Sequence, residues 1–240
     1  MSAEESPKRI LLKMSGEALM GGQAFGIDPD ILDRLAYDLK EIVENNIQVG
    51  LVIGGGNIYR GSTLVDQGLN RVRGDQIGML ATIMNSLCME DWLSKKGVKA
   101  KALSALNIEQ LCDIYRPADA VEYMENGNVV ILAAGTGNPF FTTDSAASLR
   151  AIEVRADMLI KATKVDGVYS EDPKKNQKAK FFPKLSYDDV LTNGLGVMDA
   201  TAVVLCKENN MPVRVVNIYE EKALIRLING EAVGTLISGA

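Results

Sequence analysis

Histidine is absent from all 240 residues. Ser-His-Asp and Cys-His catalysis are therefore excluded, and so is any metal site built on imidazole. Cysteine is scarce: Cys88, Cys112 and Cys206 are widely spaced, odd in number and without a CxxC pair. Each sits among apolar neighbours, which reads as buried, reduced thiols. No apolar run approaches the ~18 residues needed to span a bilayer, and residues 1–7 are polar and acidic, unlike a signal peptide. A cytoplasmic location is the expectation. Positive charge is also in deficit, with 26 Lys and Arg against 31 Asp and Glu and a net charge of −5. That balance argues against nonspecific binding to nucleic acid or to an anionic membrane.

What remains for chemistry is Lys, Arg, carboxylates, hydroxyls and backbone amides. Phosphoryl transfer suits that inventory, because it relies on positioning and charge neutralisation. The composition is otherwise that of a folded globular chain, 47% hydrophobic and 24% charged with 22 glycines, and its length supports a sizeable core.

Short β-rich runs at 10–12, 49–53, 98–103, 129–133, 158–162, 213–216 and 235–237 alternate with segments of helical period. This alternation predicts an α/β protein with a largely parallel sheet covered on both faces. The clearest helix follows Asp28-Pro29, with Asp28 as N-cap and Pro29 as first helical residue. Ile31, Leu32, Leu35, Leu39, Ile42 and Val43 then share one face. A second helix over 75–94 carries Ile77, Leu80, Ala81, Met84, Leu87 and Cys88 on one apolar face, widened by Met79, Ile83 and Trp92. A central core helix and a subunit interface are both open readings for it. The basic run KKNQKAK at 174–180 reads as a mobile surface loop. One domain over 1–240 is expected, with two lobes dividing near residue 150.

Glycine clusters follow three of the expected strands, where open α/β sheets place their ligands. They are Lys13-Met14-Ser15-Gly16-Glu17, then Gly54-Gly55-Gly56-Asn57-Ile58-Tyr59-Arg60-Gly61, then Gly135-Thr136-Gly137-Asn138-Pro139-Phe140-Phe141-Thr142-Thr143-Asp144. Glycine lets backbone amides approach phosphate oxygens, and a following helix N-terminus adds a favourable dipole. One such loop is adequately explained as a tight turn; three at equivalent strand ends are not. Familiar nucleotide motifs nearly match and fail. Gly56 to Ser62 lacks the P-loop lysine, and Gly135-x-Gly137 and Gly194-x-Gly196 lack a third glycine.

Lys13 ends a buried strand and is the best candidate cation for a polyphosphate site, the alternative being a solvated strand-end lysine. Lys161 lies inside the apolar run Met158-Leu159-Ile160-Lys161-Ala162, where an unpaired ammonium is costly, so a paired or functional lysine is expected. Asp144 can cap a helix beginning at Ser145 or hold a catalytic lysine. Asp199 offers the same choice at the head of a helix over 200–208.

KMSGEAL, GGGNIYRG, the Arg73-Gly74-Asp75 turn, GTGNPFFTTDSAA and KATKVDGVYSEDP occur in that order. Together they resemble the bacterial uridylate (UMP) kinase branch of the amino acid kinase fold family, over essentially the whole chain. The resemblance implies a three-layer sandwich with a largely parallel central sheet flanked by helices. It implies transfer of the ATP γ-phosphoryl group to UMP with Mg²⁺, with residues 1–150 binding UMP and assembling subunits and 151–240 binding ATP. Lys13, Met14, Ser15 and Gly16 would contact ATP phosphates, with Gly56 and Arg60 nearby, while Thr163, Tyr169 and Asp172 would surround the adenosine. Gly55, Asp75, Thr136, Gly137, Asn138, Pro139, Phe140, Phe141, Thr142 and Thr143 would hold UMP. Lys13, Lys161, Asp144 and Asp199 would form the catalytic centre. Carboxylate or carbamate kinases of the same fold, a silent nucleotide sensor and a coenzyme-dependent oxidoreductase are the rivals. The retained Lys13, Asp144 and Asp199 weigh against a silent sensor.

Members of the family are often hexamers activated by GTP and inhibited by UTP, the GTP site using basic side chains on the long helix and the following strand. Here Glu90 and Ser94 stand where such groups are expected and Asn128 replaces another, while Lys101 is retained. Weak or altered GTP activation is expected. Initial rates with and without GTP measure it, and strong activation would overturn it.

Overall fold

A computed structural model describes residues 7–60, 65–173 and 175–239 of the chain. Gly61 and Ser62 of the second glycine run and Lys174 of the basic run lie outside them. The strands in chain order are β1 (Arg9–Met14), β2 (Gln48–Ile53), β3 (Ala100–Ser104), β4 (Asp113–Ile114), β5 (Val129–Ala133), β6 (Met158–Thr163), β7 (Val168–Tyr169), β8 (Phe181–Phe182), β9 (Lys184–Ser186), β10 (Val213–Asn217) and β11 (Thr235–Ser238). The helices are α1 (Pro29–Glu44), α2 (Arg71–Lys95), α3 (Pro117–Glu125), α4 (Thr143–Glu153), α5 (Tyr187–Thr192), α6 (Ala200–Glu208) and α7 (Ala223–Ile228).

Among the described residues, nine strands form one sheet in the order β4-β3-β5-β2-β1-β6-β10-β11-β9, and β7 and β8 make a separate antiparallel ribbon. Pairing in the sheet is parallel except between β10 and β11. β1 lies at the centre, buried from Ile10 to Met14. Because side chains alternate along a strand, its two faces feed two cores. Ile10, Leu12 and Met14 pack with α1, α7 and the C-terminal half of α2, whereas Leu11 packs with α3, α4, α5 and α6. The result is the expected three-layer α/β sandwich.

Local signals account for the element ends. The Asp28 carboxylate accepts from the Asp30 N–H at the start of α1. α2 begins at Arg71 rather than near Asp75, because the Asn70 side chain accepts from the N–H groups of Val72 and Arg73. β3 starts two residues later than expected, since the Val98 N–H is spent on the Leu93 carbonyl that closes α2. β4, β7, β8 and β9 are too short to leave a periodic signal. The three cysteines are free; Cys112 and Cys206 are buried, and Cys88 is half-buried. No helix among the described residues is long and apolar enough to cross a membrane.

The face of α2 needs correction. Met79, Ala81, Ile83, Met89 and Leu93 are buried, alongside the polar Thr82, Asn85 and Ser86. Ile77, Leu80 and Met84 instead point outward at 38%, 48% and 55% exposure. The inward face carries small and polar residues because it meets the glycine loops, so the most apolar stripe is not the buried one.

Between α7 and β11 the chain turns at Gly234, with φ +71°, and a Cβ there would lie 2.0 Å from the Val215 carbonyl oxygen of β10. Gly234→Ala is expected to lower stability by about 2–5 kcal/mol, combining left-handed strain with a backbone clash, as read from urea unfolding. An unchanged midpoint would contradict this.

Candidate active site

The three glycine loops lie together at the C-terminal ends of β1, β2 and β5. After β1, Ser15 caps a short 3₁₀ turn (Gly16–Met20), accepting from the Glu17 N–H at 3.3 Å. Gly16 then presses on the second loop: a Cβ there would sit 2.3 Å from the Gly54 carbonyl oxygen and 2.8 Å from the Gly56 nitrogen. After β5 the third loop runs through left-handed positions at Ala134, Gly135, Gly137 and Phe140 before entering α4. Thr142 caps α4, its hydroxyl accepting from the N–H groups of Asp144 and Ser145. Asp144 is therefore not the cap. It lies in the first helical turn with its carboxylate free for another task.

That task is charge pairing. Lys13 and Lys161 are direct partners across β1 and β6, and both project on the face covered by α4. Asp144 sits between them. Lys161 donates to Asp144 Oδ2 at 2.6 Å, and the Lys13 ammonium lies 2.7 Å from Oδ1 off the hydrogen-bonding direction. Lys13 is only 7% exposed. Burial pushes the Asp144 carboxyl up, but Lys13 and Lys161 outweigh it and hold the carboxyl below its ordinary range. Burial lowers the Lys161 ammonium, and Lys13 adds to that, against the raising effect of Asp144. The sequence expectation of a paired lysine at 161 is met.

Asp199 caps α6 through the Ala202 N–H at 2.9 Å. The same carboxylate accepts from the hydroxyls of Thr142 and of Ser145, the latter at 3.0 Å. It touches neither lysine ammonium directly; it ties the end of the third loop to α6.

Two clefts flank this centre. One, of about 320 Å³, is lined by Gly55, Gly56, Asp75, Thr136, Asn138, Phe141, Thr142 and Thr143 among the expected residues. Gly137, Pro139 and Phe140 are not in its wall: Gly137 lies against Ala105, and the Phe140 ring is 67% exposed. The Phe140 N–H does reach in, donating to Asp75 at 2.8 Å. The other cleft, of about 480 Å³, is lined by Lys161, Thr163, Tyr169 and Asp172. Tyr169 meets Phe181 edge-on there, with ring centroids 5.4 Å apart. Arg60 reaches Glu17 at 3.1 Å near the first loop.

Several residues here carry no role in the sequence reading. Arg71 holds Asp75 at 2.9 Å, one helical turn away. Thr82 also lines the smaller cleft, and Asn57 and Asn85 form a buried amide pair behind it. Polar residues within the apolar stretch Ile77 to Cys88 of α2 were the available signal for Thr82 and Asn85.

Replacing Asp144 by Asn leaves two ammonium groups side by side, so Asp144→Asn is expected to cost about 3–5 kcal/mol. The folded pKa of Asp144 is depressed, so its stabilisation is complete above the unfolded carboxyl value and is lost as pH falls through the folded one. Urea unfolding as a function of pH should show that acid-side loss in the wild type and less of it in Asp144→Asn. Equal slopes would contradict the pairing.

The sequence profile of the amino acid kinase family matches residues 8–217. The uridylate kinase of Methylococcus capsulatus is 57% identical over 230 residues, which are 96% of each chain. A UMP kinase from Bacillus anthracis has the same fold at a TM-score of 0.94 and 38% identity, over 97% of this chain and 96% of that one. A UMP kinase from Ureaplasma parvum matches at 0.90 and 36%, over 96% and 98%. Profile, relatives and solved structures agree over nearly the full length, on the same sheet that carries the glycine loops and the paired lysines: the chain belongs to the amino acid kinase family.

Proposed function

We infer that this protein transfers the γ-phosphoryl group of ATP to UMP, giving UDP and ADP. One observation carries the inference. Asp144, bound to both Lys13 and Lys161, directly follows Thr142 and Thr143 of one cleft's wall, and Lys161 lines the other cleft, in a chain 57% identical to a uridylate kinase along nearly all its length.

The smaller cleft suits the acceptor. Asp75 cannot bind a phosphate, but it can accept hydrogen bonds from ribose hydroxyls, and Gly55 with Thr136, Asn138, Phe141, Thr142 and Thr143 would enclose base and phosphate. The larger cleft suits the donor, with Thr163, Tyr169 and Asp172 around the adenosine. Lys13, Met14, Ser15 and Gly16, together with Gly56 and Arg60, would hold its phosphates. An oxygen of the UMP phosphate attacks the γ-phosphorus, and the bond to the β–γ bridging oxygen breaks with its electrons leaving on ADP. No general base is needed, because the UMP phosphate is already ionised, and the lack of histidine is no handicap. Lys13 and Lys161 would neutralise charge at the transferring group, with Asp144 and Asp199 fixing the geometry.

ATP is expected to enter as its Mg²⁺ complex. Among the described residues no three Asp, Glu or Cys side chains cluster to hold a metal. The Mg²⁺ ion supplies further charge neutralisation.

The division into an acceptor lobe over 1–150 and a donor lobe over 151–240 belongs to the same proposal. So do a homohexameric assembly, a cytoplasmic location, a place in pyrimidine nucleotide synthesis and UTP inhibition. The outward stripe of Ile77, Leu80 and Met84 on α2 supports assembly. A GTP response weaker than usual is supported by two intramolecular commitments. Lys101 pairs with Asp113 at 2.8 Å, and Glu90 accepts from the Ala102 N–H at 3.0 Å.

A coupled ADP-release assay with ATP-Mg²⁺ tests the substrate, offering UMP, CMP, AMP, GMP, glutamate, aspartate and carbamate separately. Turnover confined to UMP is expected; turnover with a carboxylate or carbamate would overturn the acceptor. Lys13→Ala should cut kcat by at least about 100-fold with little change in UMP affinity, whereas Asp75→Ala should raise KM for UMP. Identical behaviour of the two variants would refute the split into donor and acceptor halves.

A further inference from the structure

α2 runs along the acceptor cleft with Gly74, Gly78, Thr82 and Asn85 on its inner side. Asn85 is 0% exposed and Asn57, inside the second glycine loop, 1%. Their amides pair reciprocally: Asn57 Nδ2 donates to Asn85 Oδ1 at 2.9 Å, and Asn85 Nδ2 to Asn57 Oδ1 at 2.8 Å. Each amide has a second hydrogen to place. Asn85 gives it to the Gly54 carbonyl at 2.7 Å, and Asn57 to the Gly26 carbonyl at 3.1 Å. Two buried amides thus leave no N–H without an acceptor, and removing either strands the other at a cost.

Thr82, three residues earlier and 4% exposed, does the corresponding work for the third loop. Its hydroxyl donates to the Met79 carbonyl at 2.7 Å and accepts from the Ala134 N–H at 2.8 Å. Ala134 is the first left-handed residue of that loop, at φ 61°. The second loop also rests directly on the helix, since a Cβ on Gly55 would lie 2.8 Å from Ala81 Cβ and 2.9 Å from the Gly78 carbonyl oxygen.

We propose that Thr82 and Asn85 are positioning residues, through which α2 holds the second and third glycine loops at a fixed separation for in-line transfer. Thr82 lines the acceptor cleft, but its hydroxyl and the Asn85 amide are engaged with protein groups, so their hydrogen bonds act through the loops. Phosphoryl transfer between two bound nucleotides tolerates little misplacement, and an error near 1 Å costs about 100-fold in rate. This inference rests on the UMP kinase reading.

The test begins with wild-type turnover of UMP and a thermal melt of each variant. Thr82→Val keeps the shape and removes the acceptor for the Ala134 N–H; Thr82→Ser keeps that acceptor. The valine variant is expected to raise KM for UMP about tenfold with KM for ATP within about twofold, and the serine variant to stay within about twofold on both. Asn85→Ala is expected to lower kcat about 100-fold in folded protein. The proposal is overturned if Thr82→Val leaves KM for UMP unchanged, if serine is as impaired as valine, or if folded Asn85→Ala keeps wild-type kcat. Should the valine variant not fold, Thr82→Ala is compared with Thr82→Ser by the same criterion. A wild type silent with UMP overturns the functional reading itself; an active wild type with indifferent variants overturns only the positioning role.

Discussion

Two lysines occupy directly opposed positions on adjacent central strands, about 4.8 Å apart in the pairing direction, and one aspartate must keep them there. The register of β1 on β6 dictates that Lys13 and Lys161 emerge on the same face. Unneutralised, that pair would oppose formation of the sheet at its middle. Asp144 resolves the conflict only if α4 starts where it does, directly over the strand ends. The helix start is in turn set by Thr142, whose hydroxyl caps it, and Asp199 secures that hydroxyl from α6. A single charge constraint therefore fixes a strand register, a helix terminus and the end of the third glycine loop. The two lysines and Asp144 together carry one net positive charge, a local gathering of positive charge in an acidic chain.

α2 supplies the complementary constraint, which is steric and hydrogen-bonding rather than Coulombic. Its inner side is built from glycines, Thr82 and Asn85, so backbone approaches it closely and polar groups are met one by one. Its outer side presents Ile77, Leu80 and Met84 to the surroundings. One helix thus serves the glycine loops on one side and offers an apolar stripe on the other. Asp75 on the same helix receives the Phe140 N–H and the Arg71 guanidinium, which ties the far end of the third loop to it as well.

Much of this was legible in the sequence. β1, β2, β5, β6, β10 and β11 announced themselves as short apolar runs, and Asp28-Pro29 marked the start of α1 through capping chemistry that is purely local. The glycine loops were readable because glycine at a strand end has few uses. A lysine inside an apolar strand required a partner, and it has one. The partner itself was ambiguous, since an aspartate near a helix start suits both a cap and an ion pair. The adjacent threonine took the cap, a choice invisible without the helix in place. Likewise the pattern of α2 marked an apolar face but not which way it points, because burial depends on what the helix packs against.

Composition and order along the chain determined the class of fold, the absence of imidazole chemistry and the identity of the loops that meet at the strand ends. These follow from local rules: turn conformations, caps, periodicity and the available side-chain chemistry. Only the tertiary structure decided that Lys13 faces Lys161, that Asp144 rather than Asp199 lies between them, and that Asn57 and Asn85 close on each other. Asp144 and Lys161 are 17 residues apart and Asn57 and Asn85 are 28, and the Asp144 contacts depend on the long-range pairing of β1 with β6. They form because parallel strands distant in sequence are adjacent in the sheet, and buried polar groups then take whichever partners that packing brings within reach.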